Sequence, residues 1–390
     1  MGVAVGRSIR VAAFGLRSLE GVEGGIETHA RELYPRLAAL GYDITVLTRS
    51  RYDTGKSVRH PGCRTRPLWA PRGKGLEAAI HTLVCVAYCV LLMRPDIVHV
   101  HGVGPGACAA LLRLAGLRVV LTHHGHDYDA AKWGWLARRL LRIAEHVGVR
   151  FGHEIICVSE NIRTEVTRLN GRSRTIRNGV ERNIDTTRRP KSAPLAGLAP
   201  DSYVLVVGRL TAHKRVLDVL AALNCPALEG IKLVICGDVA GSDPYVDAVK
   251  AAARQSSDVL LAGFVDRSEL PWLYRHALCS VMASSYEGMP FAVLEALACG
   301  SVVLVSELPA HREIGLADAH YFPVGGVDVL RDKIVRLRAD PLARQRMAQP
   351  SALDARFDWD VIARASASVF EAAARGSSGA GAVAESPKRL

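Results

Sequence analysis

Glu287 and Glu295 stand eight positions apart, with Gly288 and Pro290 between them. A proline fits the first turn of a helix, where its missing N–H is no loss and its φ is already helical. The spacing therefore predicts a helix over 290–298, with Glu287 and Gly288 in the loop before it and Glu295 on its second turn. A helix start offers unpaired N–H groups and the positive end of a dipole, which suits a phosphate. Carboxylates accept hydrogen bonds from hydroxyls, so one on either side of a phosphate site matches a ligand with hydroxyls at both ends, such as a sugar nucleotide. A glycosidase pair would need its two carboxyls across a single bond, which a phosphate-sized gap between them disfavours.

Other residues have matching chemistry. In Gly208-Arg209-Leu210-Thr211-Ala212-His213-Lys214, Arg209 and Lys214 can converge on a diphosphate across a strand-to-helix turn, the one as a planar fork and the other as a mobile point charge. The pair Gly24-Gly25 precedes a helix and lets backbone approach an anion closely. Thr122-His123-His124-Gly125 ends a strand, and of the two histidines His124 is taken to face a cleft. Gly55-Lys56-Ser57 lacks the earlier glycine of a phosphate-binding loop, and Asp127-Tyr128-Asp129 is too common a triplet to indicate a metal clamp.

The elements needed to position these residues are legible as alternation. Short β-branched runs (9–14, 44–48, 97–100, 119–122, 155–158) interleave with helical stretches near 27–40, 76–93, 106–115 and 133–150. After an Arg-, Pro- and Ser-rich linker the pattern restarts with strands at 203–207, 233–236, 259–261, 280–282 and 302–305. Such alternation predicts an α/β chain of two Rossmann-like, doubly wound domains facing across a cleft, with ligands at the carboxyl ends of the strands. The expected division is 1–180, a linker over 181–200, 201–350, a last helix over 351–375 and a disordered tail over 376–390. In the helix near 133–150, Leu136, Leu140, Ile143 and Val147 form a stripe expected to face the core. Lys132, Arg138, Arg139 and Arg142 on its other side read as a solvated basic face, with contact with an anionic membrane as the alternative. The apolar run 78–93 reads as a buried helix too short to span a bilayer.

Formal net charge is +12 over 390 residues, which favours acidic partners. Without aromatics interleaved among the basic residues, nucleic acid is not expected. The nine cysteines include no C-x-x-C, so neither zinc nor a disulfide framework is expected, and Cys85 and Cys89 should pack on one helical face. No secretory leader is evident, and a cytoplasmic protein is expected.

Taken together, the Glu287-x₇-Glu295 element, the Gly208-Arg209…Lys214 turn, the Gly24-Gly25 loop, the Thr122…His124-Gly125 strand end and Arg177-Asn178-Gly179-Val180 resemble glycosyltransferase family 4. These are retaining enzymes of the GT-B fold, and the ordered match runs from about residue 9 to 374. Residues 122–134 and 154–160 further resemble bacterial transferases that build surface polysaccharides. The resemblance implies donor-diphosphate binding by Arg209 and Lys214, ribose binding by Glu295, and donor-sugar binding by Glu287 with the peptide groups of Gly288, Met289, Pro290 and Phe291. It also implies that Gly24 and Gly25 approach the donor phosphate and that His124 sits beside the reacting sugar. It further implies no metal and no cofactor, a nucleotide sugar as donor and a glycan or polyprenyl-phosphate-linked acceptor. The last helix is implied to cross back to the first domain. Arg177 stands where the family often has proline, and 51–75 is unmatched. The alternatives are a nucleotide-sugar epimerase of the same architecture or a two-domain binder of a small ligand without chemistry.

Overall fold

The structure is a computed structural model that describes residues 8–20, 24–53, 62–73, 76–126, 128, 133–237, 243–348 and 353–375. Gly55-Lys56-Ser57, Asp127, Asp129, Lys132 and the tail over 376–390 lie outside these.

The apolar runs become two all-parallel sheets. The first has seven strands in the order β3-β2-β1-β4-β5-β6-β7: β1 (Arg10–Phe14), β2 (Asp43–Arg49), β3 (Cys63–Leu68), β4 (Ile97–His101), β5 (Arg118–His123), β6 (Glu154–Cys157) and β7 (Ser173–Thr175). The second has six, in the order β10-β9-β8-β11-β12-β13: β8 (Tyr203–Val207), β9 (Lys232–Cys236), β10 (Val259–Gly263), β11 (Cys279–Met282), β12 (Val303–Ser306) and β13 (Tyr321–Phe322). Side chains alternate between two buried layers. In β1, Val11 and Ala13 pack with the helices Gly25–Ala39 and Trp359–Arg375 on one side. Ala12 and Phe14 pack on the other side with Cys85, Cys89 and Leu112. Both sheet faces are thus covered, as the continuous apolar strands require.

In each sheet the strand order reverses once, between β1 and β4 and between β8 and β11. A crevice opens at such a point because the flanking connections leave to opposite faces. Gly24-Gly25 follows β1, His101 ends β4, Gly208–Lys214 follows β8, and the Glu287 loop follows β11. Strand order alone therefore brings Gly24-Gly25 beside His101 in one sheet and Gly208–Lys214 beside the Glu287 loop in the other.

The edge strands β3, β7 and β13 were not anticipated. In β3, Arg64 and Arg66 point outward, the charged alternation that keeps a sheet edge from pairing further, and it hides the strand from a search for apolar runs. Two expectations need correction. Leu136, Leu140 and Ile143 do not face the core: they are 55%, 57% and 53% exposed. Gly148 instead turns inward, where a Cβ would press on the backbone of Gly106. Nor is 78–93 a buried helix. It packs through Cys85 and Cys89, both fully buried, while Leu83, Leu91 and Leu92 stand outward.

The last helix, Trp359–Arg375, packs on Gly25–Ala39 of the first domain, and its Ala367 carbonyl accepts from the Tyr42 hydroxyl at 3.1 Å. A second tie is electrostatic. Glu313 follows β12 and accepts from the Glu160 and Asn161 amides at 2.8 and 2.9 Å and from Arg177 at 3.1 Å. It thereby caps, from the other domain, the helix Glu160–Thr167. Glu313→Ala should cost about 1–2 kcal/mol, the usual effect of removing a helix cap. Calorimetric unfolding measures it, and an unchanged Tm would show that this tie contributes nothing.

Candidate functional site

The half of the site on the second domain is built around a tight turn. Gly208 has φ +149°, and a Cβ on Gly237 would run into the Gly208 carbonyl. Lys214 ends the short turn Ala212–Lys214, and Arg215, with φ +50°, starts the helix Val216–Leu223. Lys214 Nζ lies 2.6 Å from Glu287 Oε1, which also accepts from the Ser284 hydroxyl at 2.6 Å. Burial works against ionisation of Glu287, but Lys214, His311 and these hydrogen bonds prevail and hold its carboxyl below the usual range. Glu287 is therefore a fixed carboxylate and not a proton donor. Arg209 is exposed, and its guanidinium has no hydrogen-bond or ion-pair partner among the described residues. Behind Glu287, His311 Nδ1 donates to the Ser306 carbonyl at 2.6 Å, and its buried Nε2 has no hydrogen-bond partner among the described residues.

Pro290 caps the helix Phe291–Ala298 from outside instead of opening it, one residue from the expected start. Glu295 still falls on the second turn. Its Oε1 accepts from Arg267 at 2.7 Å, and Arg267 also donates to Thr28 on the first domain at 2.8 Å. Tyr274 donates to Glu295 Oε2 at 3.4 Å. These residues line an interdomain cavity of about 120 Å³ with Phe291 and Trp359.

The first domain meets this loop through glycines. Phe291 ring carbons lie 3.7 Å from where a Gly25 Cβ would be. A Cβ on Gly288 would collide with the His124 carbonyl, and Gly125, at φ +141°, leaves room for the Tyr286 hydroxyl, which bonds the His126 amide. Asn178 Nδ2 donates to the Met289 carbonyl at 3.0 Å, while its Oδ1 accepts from His29 Nδ1 at 3.0 Å. Because Asn178 accepts there, the His29 proton sits on Nδ1. Gly24, before the helix, stands against the Glu27 carboxylate, which Arg17 holds at 3.0 Å.

Of the two adjacent histidines, His123 turns into the first domain, 2.6 Å from Glu145. His124 meets Gly288 of the second domain through its backbone carbonyl, and its ring joins a buried chain. Its Nε2 is 2.9 Å from His101 Nδ1, His101 meets the Tyr34 hydroxyl, Tyr34 meets His99 at 3.0 Å, and His99 meets Thr122 at 2.7 Å. Ring nitrogens of His29, His101 and His124 lie within 4.8 Å of one another, as do ligand atoms of His123, His126 and Glu145. In the first group the nitrogens of His101 and His124 bond each other, and in the second Glu145 already serves both histidines. We read both as hydrogen-bonded clusters.

Burial pulls His29 down to about 4 and, with His29 adding to it, His99 to about 3. Burial, then neighbouring histidines, lowers His101 and His124 well below the usual range. The folded chain thus keeps these rings neutral where the unfolded chain gains protons, so stability falls as pH drops below about 6.5. At pH 5, His29 and His99 should each cost on the order of 2 kcal/mol relative to pH 7. Glu287 acts in a lower window, its contribution being lost only below the ordinary carboxylate range. Calorimetry at pH 7, 6 and 5 should therefore show a falling Tm, and a flat Tm would mean that the rings are not held neutral.

The structure brings Gly25, His124, Lys214, Glu287, Gly288, Met289, Pro290, Phe291 and Glu295 to one cleft, with Arg209 at its edge. Arg267, Asn178, Ser284, His311 and the chain through His101 were missed. His99 and His101 alternate at the end of an apolar strand, a signal that was present; Arg267 sits in a loop and carried none.

Two family models match consecutive stretches of the chain: "Glycosyl transferase 4-like domain" over residues 24–179 and "Glycosyl transferases group 1" over residues 193–352. The glycogen synthase of Mycobacterium tuberculosis is 29% identical over 400 residues, covering 91% of this chain and 92% of that one. The GDP-mannose:cellobiosyl-diphosphopolyprenol alpha-mannosyltransferase of Xanthomonas oryzae pv. oryzae is 26% identical over 358 residues, covering 86% and 90%. Among solved structures, sucrose-phosphate synthase from Thermosynechococcus elongatus has a TM-score of 0.79 at 21% identity, covering 93% of this chain and 98% of that one. HepE of Anabaena in complex with UDP-glucose has a TM-score of 0.73 at 17% identity, covering 93% and 99%. At such identities the structures share the fold.

Proposed function

Because the chain belongs to the GT-B glycosyltransferases, a 4-like domain followed by a group 1 domain, we propose that it is a retaining, metal-independent transferase. It moves a sugar from a nucleoside diphosphate to a lipid-linked glycan in bacterial surface-polysaccharide synthesis. The observation that carries this reading is the Lys214–Glu287 pair at the strand-order reversal of the second sheet, beside an exposed Arg209 that has no protein partner among the described residues. Lys214 and Arg209 take the diphosphate and stabilise the charge that grows on it as the bond to the anomeric carbon breaks, with water largely excluded. Glu287, kept ionised, orients the donor sugar through its hydroxyls. Glu295 takes the ribose hydroxyls, the Gly288–Phe291 backbone lies along the sugar and phosphate, and Gly24-Gly25 closes on the phosphate from the other domain. The acceptor hydroxyl attacks the face the diphosphate leaves. The new carbon–oxygen bond forms there, and the hydroxyl proton passes to the departing phosphate oxygen. His124, neutral at the cleft, contacts the reacting sugar. No cofactor enters this scheme, since fixed cations do the work of a metal.

The acceptor assignment rests on the strongly basic chain and on the Xanthomonas relative, whose name specifies a polyprenol-linked acceptor. Such an acceptor places the protein in the cytoplasm, at the inner face of the plasma membrane. The test is a panel of nucleotide sugars incubated with polyprenyl-diphosphate-linked glycans, the anomeric configuration of the product being read by NMR. Transfer with retention supports the reading; an epimerised nucleotide sugar formed without acceptor, or an inverted product, contradicts it.

A further inference from the structure

The first sheet's outer helical layer has its apolar residues on the wrong side for a soluble surface. Helix Leu76–Tyr88 and its continuation to Met93 pack beside Val103–Gly106, which packs against Trp135–Phe151, as does Ala109–Leu114. These helices give Cys85, Cys89, Ala109, Leu112 and Val149 to the interior, and leave many of their other large apolar side chains in solvent. Leu76, Leu83, Leu91 and Leu92 are 65%, 56%, 74% and 74% exposed. Leu111 and Leu114 continue the surface at 50% and 85%. On the helix Trp135–Phe151, Trp135, Leu136, Leu140 and Ile143 are exposed by 75%, 55%, 57% and 53%. Leu136, Leu140, Ile143 and half-buried Val147 recur at helical spacing, so they form one continuous stripe. Scattered exposed leucines need no explanation, but a contiguous layer of them does.

The charge around this surface is of one sign. Arg113, Arg138, Arg139, Arg142 and Arg150 are exposed on it. The acidic residues of the same helices turn away: Glu77 is buried beside Arg49 and Arg51, and Glu145 accepts from His123 and Tyr128. Leu76–Met93 has the length and apolarity of a membrane-crossing segment, yet in the fold only 22% of it is buried. Cys85 and Cys89 hold it flat along the sheet. A helix with one apolar face outward and arginines along its flank suits the boundary between lipid headgroups and acyl chains.

We propose that this three-helix face docks the protein on an anionic lipid bilayer, its leucines and Trp135 entering the acyl boundary and its arginines pairing with headgroup phosphates. This deepens the reading of a lipid-linked acceptor and rests on it for its purpose, although the docking itself needs neither donor nor acceptor. Co-sedimentation with phosphatidylcholine vesicles, with and without about a third phosphatidylglycerol, tests it in the absence of both substrates. The full chain should partition onto the anionic vesicles at least tenfold more than onto neutral ones, and less at high salt. Leu83→Glu/Leu91→Glu/Leu140→Glu should lose at least tenfold of that partition, and Arg138→Ala/Arg139→Ala/Arg150→Ala should remove the salt dependence. All the substituted residues are exposed, and an unchanged far-UV spectrum and Tm confirm that the variants fold. Absence of vesicle binding, or binding untouched by either variant, overturns the proposal. So does a dimer in solution that the leucine variant dissociates, because the face is then a contact between two copies of this chain. Nucleotide-sugar binding by the leucine variant, measured by calorimetry, should equal wild type; if neither protein binds a nucleotide sugar, the transferase reading fails while the vesicle result stands by itself.

Discussion

Lys214→Ala should lower the rate of sugar transfer about a thousandfold, or about 4 kcal/mol in transition-state stabilisation. The cation is fixed before the donor arrives, held 2.6 Å from Glu287 and four-fifths shielded from solvent, so its charge needs no rearrangement during the reaction. Removing it also leaves a carboxylate that burial disfavours, and Glu287 then shifts upward toward protonation. Loss of stability could mimic loss of function, because breaking one side of a shielded ion pair costs a few kcal/mol. The double variant Lys214→Met/Glu287→Gln separates the two effects. It should regain most of the lost Tm and none of the activity, since neither charge is restored. Single-turnover transfer at saturating donor, with Tm on the same samples, provides the comparison. Recovery of turnover in the double variant would remove Lys214 from the chemistry.

Arg209→Ala should reduce kcat/KM by about a hundredfold or more, some 3 kcal/mol, with no change in Tm. The side chain is exposed and bonds to no described residue, so the fold does not depend on it. A planar guanidinium can hold two phosphate oxygens at once, and a lysine cannot reproduce that fork. Arg209→Lys should therefore recover only part of the loss. Should Arg209→Ala turn over donor at the wild-type rate, the diphosphate must lie elsewhere.

The sequence made the second-domain half of the site legible because its chemistry is concentrated in two short loops, each following an apolar strand that ends abruptly. Gly208–Lys214 and Glu287–Glu295 could be placed at strand ends without knowing which strands are neighbours. The pairing of Lys214 with Glu287 could not, since it depends on β8 lying beside β11. The same holds for Asn178, which links His29 to the Met289 carbonyl across the two domains: nothing local in Arg-Asn-Gly-Val marks it. Arg267 binds Glu295 from a loop after β10 and also reaches Thr28 of the other domain, and neither partner is near it in the chain. The helix 135–151 shows the opposite failure. Its stripe of Leu136, Leu140 and Ile143 has the periodicity of a core face, but periodicity says only that a face is apolar, not what covers it. Here the inward side belongs to Gly148 and the fully buried Val149, and the stripe is left outside. The edge strand β3 escaped notice because its outward arginines, which suit a sheet edge, erase the apolar run.

The central claim is that the cleft of the second domain grips a nucleoside-diphosphate sugar through Arg209 and Lys214. Isothermal titration of a panel of nucleotide sugars into the wild-type protein and the Arg209→Ala/Lys214→Ala variant tests it most directly. The account predicts saturable binding of at least one nucleotide sugar to wild type, at micromolar to submillimolar concentration, weakened at least a hundredfold in the folded variant. Equal affinity in the two proteins, or no binding of any nucleotide sugar to wild type, would contradict it.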